Sequence, residues 1–67
     1  MKIVIILPSY NERDNISRMI PLLEEEIFPQ IKKHTMQILV VDDKSPDGTA
    51  KEVEALQKKW KNIILLT

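Results

Sequence analysis

Two adjacent carboxylates, Asp42 and Asp43, follow directly after an uninterrupted apolar run at residues 38–41. A run that is apolar at every position predicts a strand buried on both faces, because a half-exposed strand would alternate apolar and polar residues. Open α/β sheets bind ligands outside the carboxyl ends of their strands, so both acids are expected at a binding edge. Carboxylates at such an edge can accept hydrogen bonds from a base N–H group or from ribose hydroxyls.

A polar segment at residues 8–12 follows another apolar run, residues 3–7, in the same way. If the two strands are neighbours, Tyr10 and Glu12 lie at the same sheet edge as the two aspartates. A flat ring can pack against a base or ribose while carboxylates bind its polar groups. A bare phosphate would need donors instead, and the sequence has no Gly-x-Gly-x-x-Gly or Walker pattern. These residue types therefore indicate a slot for a nucleoside.

The same residues also have interpretations that involve no ligand. Asp42 and Asp43 can be solvated acids of which one caps a turn, and residue type alone favours neither interpretation. Tyr10 can equally be a packing residue, and Glu12 can be a charge at a helix N-terminus. Asp47 is assigned to turn chemistry alone, because Ser-Pro-Asp-Gly supplies the bend after the strand.

The first helix is predicted from apolar residues that recur at spacings of three and four between residues 16 and 31. Pro21 falls inside it, where it removes a backbone donor and clashes with the preceding turn. The helix is therefore expected either to start after Asn15 or to kink near Ser17, and Pro29 is expected to bend or end it near Phe28. The candidates for its N-cap are Asn11, Asp14 and Asn15.

The second helix is predicted to start at Thr49, because Thr49 and Glu52 match the spacing of a capping box. Its inward-facing residues are expected to be Val53, Leu56 and Trp60. A last apolar run, residues 63–66, predicts a third strand.

This order predicts an α/β fold, a βαβαβ Rossmann-like three-stranded parallel sheet with strand order 3-2-1. Right-handed crossovers that step in one direction place both helices on the same face of the sheet. All three strands are nonetheless apolar on both faces, so the second face is predicted to be bare. Residues 1–67 are therefore expected to be the front part of a larger domain, and on their own either to associate with further copies or to fray.

Composition excludes several classes of protein. Among 67 residues, ten basic and ten acidic side chains leave no net charge, which argues against a nucleic-acid partner and a polybasic membrane anchor. The absence of cysteine excludes disulfides and thiolate metal sites, and indicates an ordinary cytoplasmic setting. The apolar runs are too short for a signal-peptide core or a membrane span.

The two polar segments together resemble a known family. Leu-Pro-Ser-Tyr-Asn-Glu-Arg at residues 7–13, followed by Val-Val-Asp-Asp-Lys-Ser-Pro-Asp-Gly-Thr at residues 40–49, is similar to the start of family 2 glycosyltransferases of the GT-A fold. The resemblance is greatest to the dolichol-phosphate (polyprenyl-phosphate) mannosyltransferase branch. It covers nearly the whole chain but only the N-terminal, nucleotide-binding part of a family catalytic domain.

The resemblance implies that this unit binds the nucleotide of a nucleotide sugar, with GDP-mannose as the first candidate and a UDP-sugar as the second. The sugar would pass to a polyprenyl or dolichyl phosphate, at the cytoplasmic face of a membrane. The resemblance implies that Pro8, Tyr10 and Glu12 line the nucleoside pocket. It places Val41 and Asp43 beside the base or ribose, with Asp42 as a supporting candidate.

The resemblance assigns no catalytic residue and no metal ligand to residues 1–67. The family holds Mg²⁺ or Mn²⁺ on the diphosphate with an Asp-x-Asp at the end of a later strand, and Asp42 and Asp43 are adjacent acids on an earlier one. That cation neutralises the leaving nucleoside diphosphate while the lipid phosphate attacks the anomeric carbon. Residues 1–67 alone are therefore expected to be inactive. Lys44 departs from the family pattern, which commonly has a small residue there.

A second resemblance leads to a different class. Ile-Leu-Val-Val-Asp-Asp is also similar to the first strand and acid pair of response-regulator receiver domains, which bind Mg²⁺ beside a phosphorylated aspartate. Here a strand and a helix precede this segment, and the third strand ends in Leu66 and Thr67 without a phospho-acceptor aspartate. A third possibility is a self-associating βαβαβ unit that carries out no chemistry.

Overall fold

The computed structural model of the protein describes residues 1–43 and 46–67. Strand β1 (Lys2–Pro8) leads through a short loop into helix α1 (Arg13–Leu22). A π-helical turn (Leu23–Ile27) and a 3-10 turn (Phe28–Gln30) extend this helix toward strand β2. The remaining elements are β2 (Thr35–Val41), helix α2 (Thr49–Lys59) and strand β3 (Ile63–Leu66).

The three strands form one parallel sheet in the order β1-β2-β3, which confirms the predicted fold class and strand order. Ile6 lies beside Leu39, and Leu39 lies beside Ile64, so one row of side chains crosses the whole sheet. At the carboxyl edge, Pro8 is the register partner of Val41. The two strand ends that carry the polar loops are therefore neighbours, as the sequence predicts.

One face of the sheet is covered by both helices. The buried core consists of apolar residues from α1, β2, α2 and β3, and Leu7 of β1 packs against it. Val53 is fully buried in this core, and Leu56 and Trp60 pack on its margin, which confirms the predicted inward face of α2. Alternation along each strand then directs every second side chain to the opposite face. The core residues are Ile16, Ile20, Ile38, Val40, Val53 and Ile63.

The opposite face of the sheet is apolar and exposed in the part of the chain that the structure describes. Its most exposed large apolar side chains on β1 and β3 are Ile6 at 60% and Leu66 at 55%. We call this surface the open face and define it by Val4, Ile6, Leu39, Val41, Ile64 and Leu66. The predicted bare face is therefore observed. No described helix is long and apolar enough to cross a membrane.

The first helix differs from the sequence prediction at its start, whereas near Phe28 the π-helical turn gives way to the 3-10 turn, where Pro29 is expected to bend or end the helix. It begins at Arg13, so of the two alternatives that Pro21 suggests, the start after Asn15 is wrong. Glu12 occupies the N-cap position, so the predicted candidates Asn11, Asp14 and Asn15 are wrong as well. Pro21 lies inside the helix, and the hydrogen-bond pattern changes just after it, where the N–H of Leu23 is shared between two carbonyls. The helix therefore tolerates the missing proline donor by widening into a π-helical turn, a known response to a disturbed ladder.

The second helix begins at Thr49 as predicted, but it lacks the predicted capping box. Gly48 occupies the N-cap position with a φ of 87°, and its carbonyl accepts the N–H of Glu52 at 3.1 Å. The hydroxyl of Thr49 instead donates to the carboxylate of Asp47. Thr49 is thus the first helical residue, and its side chain is used to hold the preceding turn.

Asn62 joins three elements at the amino ends of the strands. Its side-chain Nδ2 donates to Oε1 of Glu24 at 2.8 Å and to the carbonyl of Met36 at 3.0 Å. Its own carbonyl accepts the N–H of Ile38 at 3.0 Å. This residue therefore ties the π-helical turn and the start of β3 to β2, at the end of the sheet opposite the polar loops.

Candidate functional site

The site is built from two loops at the carboxyl edge of the sheet. We call residues 8–12 the first loop and residues 42–48 the second loop. Lys44 and Ser45 lie outside the described residues, and with them the position at which Lys44 departs from the family pattern. Ser9 connects the first loop to β2, because its N–H and its hydroxyl both donate to the carbonyl of Val41, at 3.0 and 3.1 Å. Ser9 is completely buried.

The first loop is a tight turn that presents Tyr10. The N–H of Glu12 donates to the carbonyl of Ser9 at 3.1 Å, and Asn11 between them has a φ of 54°. This positive φ is uncommon for a residue other than glycine, and asparagine is among those that tolerate it. Tyr10 at the tip of the turn is 57% exposed. Its ring is therefore available to a ligand and is not a core packing residue.

Glu12 is half-buried at the start of α1. Its backbone carbonyl accepts the N–H of Ile16 at 2.8 Å, which is the first bond of the helix. Its side-chain Oε2 accepts a hydrogen bond from Nδ2 of Asn15. The carboxylate is thus held over the first turn of α1, close to the loop that carries Tyr10.

The two adjacent acids at the end of β2 have different environments. Asp42 is only 1% exposed, and its N–H donates to the carbonyl of Leu66 at 2.9 Å. Asp43 is exposed. The difference follows from strand alternation, which directs Val40 and Asp42 to the covered side of the sheet and Val41 to the open face. Asp43 is therefore accessible to a ligand, whereas Asp42 belongs to the packed interior of the loop.

Asp47 connects the two loops, although the sequence predicts only a turn role for it. Its Oδ2 accepts the N–H of Arg13, 34 residues away, at 3.2 Å. Its Oδ1 accepts the N–H of Thr49 at 3.1 Å and also the hydroxyl of Thr49. One carboxylate therefore accepts hydrogen bonds from the first residue of both helices.

This arrangement explains the electrostatics of Asp47. The hydrogen bond from the Thr49 hydroxyl is the main cause that lowers the pKa of the Asp47 carboxyl below its ordinary value, and the N–H groups of Arg13 and Thr49 act in the same direction. A carboxylate is favoured at a helix N-terminus, where unpaired N–H groups carry partial positive charge. Asp47 occupies this position for α1 and α2 at once.

A polar cleft of about 450 Å³ lies beside this bridge, at the start of α1. Arg18 closes one side of the cleft, where its guanidinium donates to the carbonyl of Asp14 and to the side chain of Asn15, both at 3.3 Å. The cleft contains acids and bases in close proximity and no apolar wall. Its lining residues are Asn11, Glu12, Arg13, Asp14, Asn15, Arg18 and Asp47.

The described residues do not form a metal centre by themselves. Residues 1–43 and 46–67 contain no group of three or more His, Asp or Glu side chains placed to hold an ion. Of the adjacent acids, Asp42 faces the packed interior and Asp43 faces solvent, so the pair does not present two carboxylates to one point.

The structure brings some of the predicted site residues together. Pro8 and Val41 are side by side in the sheet, and the first loop is bonded to the carbonyl of Val41. Asp42 is buried, so its predicted supporting role would be exercised from inside the loop.

The sequence interpretation missed Asp47 as a bridge and Ser9 as an anchor. Asp47 has a local signal, because it lies two residues before a helix start, but nothing in the sequence reveals Arg13 as its partner.

The sheet and the two loops define an α/β unit of the kind that binds ligands at the carboxyl ends of its strands. The sequence profile described as "Glycosyl transferase family 2" matches residues 4–67, nearly the whole chain. The chain belongs to glycosyltransferase family 2.

Several curated proteins are similar to this chain. A poly(ribitol-phosphate) beta-glucosyltransferase of Bacillus spizizenii is 35% identical over 66 residues, which is 98% of this chain and 10% of that protein. A dolichol-phosphate mannosyltransferase of Pyrococcus furiosus is 38% identical over 64 residues, 90% of this chain and 16% of that protein. The dolichol-phosphate mannosyltransferase of Saccharomyces cerevisiae is 34% identical over 62 residues, which is 92% of this chain and 23% of that protein.

The chain therefore spans between a tenth and a quarter of the length of these relatives. No solved structure matches it significantly.

Proposed function

We propose that this chain is the nucleotide-binding part of a glycosyltransferase that moves a sugar from a nucleotide sugar to a polyprenyl or dolichyl phosphate. Mannose from GDP-mannose is the first candidate donor, because two of the similar proteins are dolichol-phosphate mannosyltransferases. A glucosyltransferase is also among the relatives, so a UDP-sugar is the alternative donor to test. The family match favours this function over a receiver-like signalling module.

The observation that carries the proposal is the pairing of the two loops at one sheet edge. Pro8 lies beside Val41 in the register, and two hydrogen bonds from Ser9 hold the first loop on the carbonyl of Val41. The exposed ring of Tyr10 and the exposed carboxylate of Asp43 belong to these two adjoining loops. A ring with an acceptor nearby suits a base and a ribose, which offer a flat face and hydrogen-bond donors.

The remaining site residues have distinct roles in this proposal. Pro8 and Val41 form an apolar floor for the nucleoside. Glu12 accepts hydrogen bonds from the polar groups of the nucleoside. Asp42 supports the loop from inside, since its side chain is almost completely buried. The slot is therefore made of Pro8, Tyr10, Glu12, Val41 and Asp43, with Asp42 beneath it.

The diphosphate of the donor needs a partner other than the two helix N-termini. Dinucleotide-binding folds place phosphate at a helix N-terminus, where free N–H groups face the anion. In this chain the carboxylate of Asp47 accepts the first N–H of α1 and of α2, and a phosphate there would meet a like charge. We therefore propose that Mg²⁺ or Mn²⁺, held by ligands outside residues 1–67, would neutralise the diphosphate.

Nucleotide titration of the protein tests the proposed function. GDP and UDP are added separately while the backbone amide resonances of Tyr10 and Asp43 are followed by NMR. One nucleoside diphosphate should shift both resonances with a single saturation curve, and Tyr10→Ala should weaken its binding by about 1–3 kcal/mol, the usual value of base–aromatic stacking. Leu22→Ala is the matched control, because Leu22 is 53% exposed on α1 outside the slot. No shift at either residue with GDP or with UDP would contradict the proposed function.

We also propose that residues 1–67, when isolated, associate with a second copy through the open face and have no transferase activity. Five of its side chains are 36–60% exposed. Full burial of one such side chain from water is worth about 1.5–3 kcal/mol. About half of each side chain is still exposed, so covering the five side chains in both copies would gain roughly 7–14 kcal/mol. This gain is similar to the association cost of about 4–15 kcal/mol, so the association should be weak and concentration-dependent. In the whole protein we place this unit in the cytoplasm, at the cytoplasmic face of the membrane that holds the lipid acceptor.

A further inference from the structure

We infer that Asp47 is a positioning residue that locks the two loops of the nucleoside slot together before a nucleotide binds. This role rests on the proposed function, and it assigns Asp47 no contact with the ligand. The carboxylate acts through the backbone, because its hydrogen bonds go to Arg13 and Thr49, the first residues of the two helices.

The bond to Arg13 controls the first loop directly. Arg13 follows Glu12 in the chain, and Glu12 is the N-cap residue of α1, with a side chain that makes no capping hydrogen bond to the helix. The exposed N–H groups at a helix start need a partner from elsewhere. Asp47 supplies it at 3.2 Å from a loop 34 residues away. The position of Glu12 relative to the second loop therefore depends on this carboxylate.

The bonds to Thr49 fix the carboxylate itself. Thr49 is completely buried, so its hydroxyl and N–H form a rigid support for Oδ1 of Asp47. Gly48, with a φ of 87°, provides the turn that brings Asp47 back toward the helix start. With Oδ1 held in this way, Oδ2 remains directed to Arg13.

Such a bridge changes affinity by reducing the cost of ordering the slot. Without the bridge, the start of α1 and the turn at Asp47 would have to be ordered relative to each other when the nucleotide binds, and this cost would be subtracted from the binding free energy. A bridge already present in the free protein removes that part of the cost. Loss of the bridge should therefore weaken nucleotide binding even though Asp47 does not touch the nucleotide.

Amide hydrogen exchange tests the bridge without any ligand. The first N–H of a helix normally exchanges rapidly because it has no partner within the helix. We expect the Arg13 amide to be protected in the wild-type protein and to exchange about tenfold faster or more in Asp47→Asn. Asp14→Asn is the matched control, because Asp14 lies in the same turn and cleft and its substitution removes the same charge. An unprotected Arg13 amide in the wild-type protein overturns the inference, and this measurement needs no variant to fold.

Nucleotide binding tests the consequence. The wild-type protein and both variants are titrated with GDP and UDP, after circular dichroism has shown that each is folded. Asp47→Asn should raise the Kd about tenfold or more, as expected for loss of a charge-assisted hydrogen bond that orders the site. Asp14→Asn should leave the Kd within about twofold. The nearby charged groups Glu12, Arg13 and Arg18 are the same in all three proteins.

The outcomes separate this inference from the proposed function. If the wild-type protein binds neither nucleotide, the proposed function fails and the role of Asp47 in binding fails with it, whatever the exchange rates are. If the wild-type protein and Asp47→Asn bind a nucleotide equally well, only the positioning role is overturned. If both variants lose affinity equally, negative charge near the cleft is responsible and the bridge is again overturned.

Discussion

The carbonyl of Val41 accepts two hydrogen bonds from Ser9, one from the backbone N–H at 3.0 Å and one from the side-chain hydroxyl at 3.1 Å. Ser9 is completely buried, so both donor groups lie away from solvent. This pair joins the loop after β1 to the last residue of β2. The geometry of the proposed nucleoside slot therefore begins with a contact between residues that are 32 positions apart in sequence.

Removal of the Ser9 hydroxyl should loosen this junction. We expect Ser9→Ala to lower the free energy of unfolding by about 1 kcal/mol, the usual net value of one hydrogen bond, because the N–H bond remains. Urea denaturation measures the change. Ser17→Ala is the matched control, since the Ser17 hydroxyl donates only to the carbonyl of Asp14 in its own helix, at 2.9 Å. Equal effects of the two substitutions would contradict a special role for Ser9.

Substitutions of the two adjacent acids should have different effects. Replacement of Asp42 should lower folding stability, and replacement of Asp43 should weaken nucleotide binding. Asp42 is buried, so Asp42→Ala should cost about 1–3 kcal/mol of folding free energy through the loss of a buried hydrogen-bonding group. Asp43 is exposed, so Asp43→Asn should change stability by less than about 0.5 kcal/mol. Asp43→Asn should weaken nucleotide binding. Urea denaturation and nucleotide titration measure the two quantities, and the reverse distribution of effects would refute the assignment of Asp43 to the slot.

The lowered pKa of Asp47 predicts a specific pH dependence. Its folded-state pKa lies below the ordinary aspartate value of 3.8, mainly because the Thr49 hydroxyl donates to the ionised carboxylate. The unfolded state therefore binds this proton more readily, and the stabilisation is fully present above the ordinary value. It is lost as the pH falls through the lower, folded-state pKa. The stability difference between the wild-type protein and Asp47→Asn should accordingly shrink on acidification and be constant near neutral pH; a difference that grows on acidification would contradict the bridge.

Gly48 should resist substitution because of its backbone and not because of crowding. A Cβ at this position would lie 4.0 Å from Cδ of Arg13, which is ordinary van der Waals contact. The φ of 87°, however, is unfavourable for residues with a Cβ, so Gly48→Ala should cost about 1–2 kcal/mol in urea denaturation. Gly48→Asn is the informative comparison, since asparagine tolerates this region better. If the larger asparagine costs more than alanine, steric crowding is the cause after all.

Charged residues on the open face should prevent self-association of residues 1–67. Sedimentation velocity across a concentration series should show a weak, concentration-dependent dimer, and Ile6→Lys with Ile64→Lys should yield a monomer. These side chains are 60% and 46% exposed on the open face. Leu22→Lys, at 53% exposure on α1, is the control that adds the same charge elsewhere. A wild-type chain that stays monomeric at all concentrations would show that the open face does not bind a second copy.

Much of the fold is predictable because it depends on patterns within short segments. Apolar runs of four or five residues predicted the three strands, and the three-and-four spacing predicted both helices. A start of α1 after Asn15 is one of the two alternatives that Pro21 suggests as a helix breaker, and it is wrong. In the structure a π-helical turn, Leu23–Ile27, follows it and accommodates the altered ladder. Local propensity was overridden there by the packing of Ile16 and Ile20 in the core.

The sequence by itself determined the strand order, the covered and open faces, the adjacency of the two loops and the family resemblance, because period, chirality and strand direction are local or general properties. Only the tertiary structure decided that Asp42 is buried while Asp43 is exposed, and that Asp47 accepts the N–H of Arg13. These features depend on how two distant loops meet after the sheet has formed. A carboxylate has the same chemistry in every turn, and its partner is chosen by the packing around it.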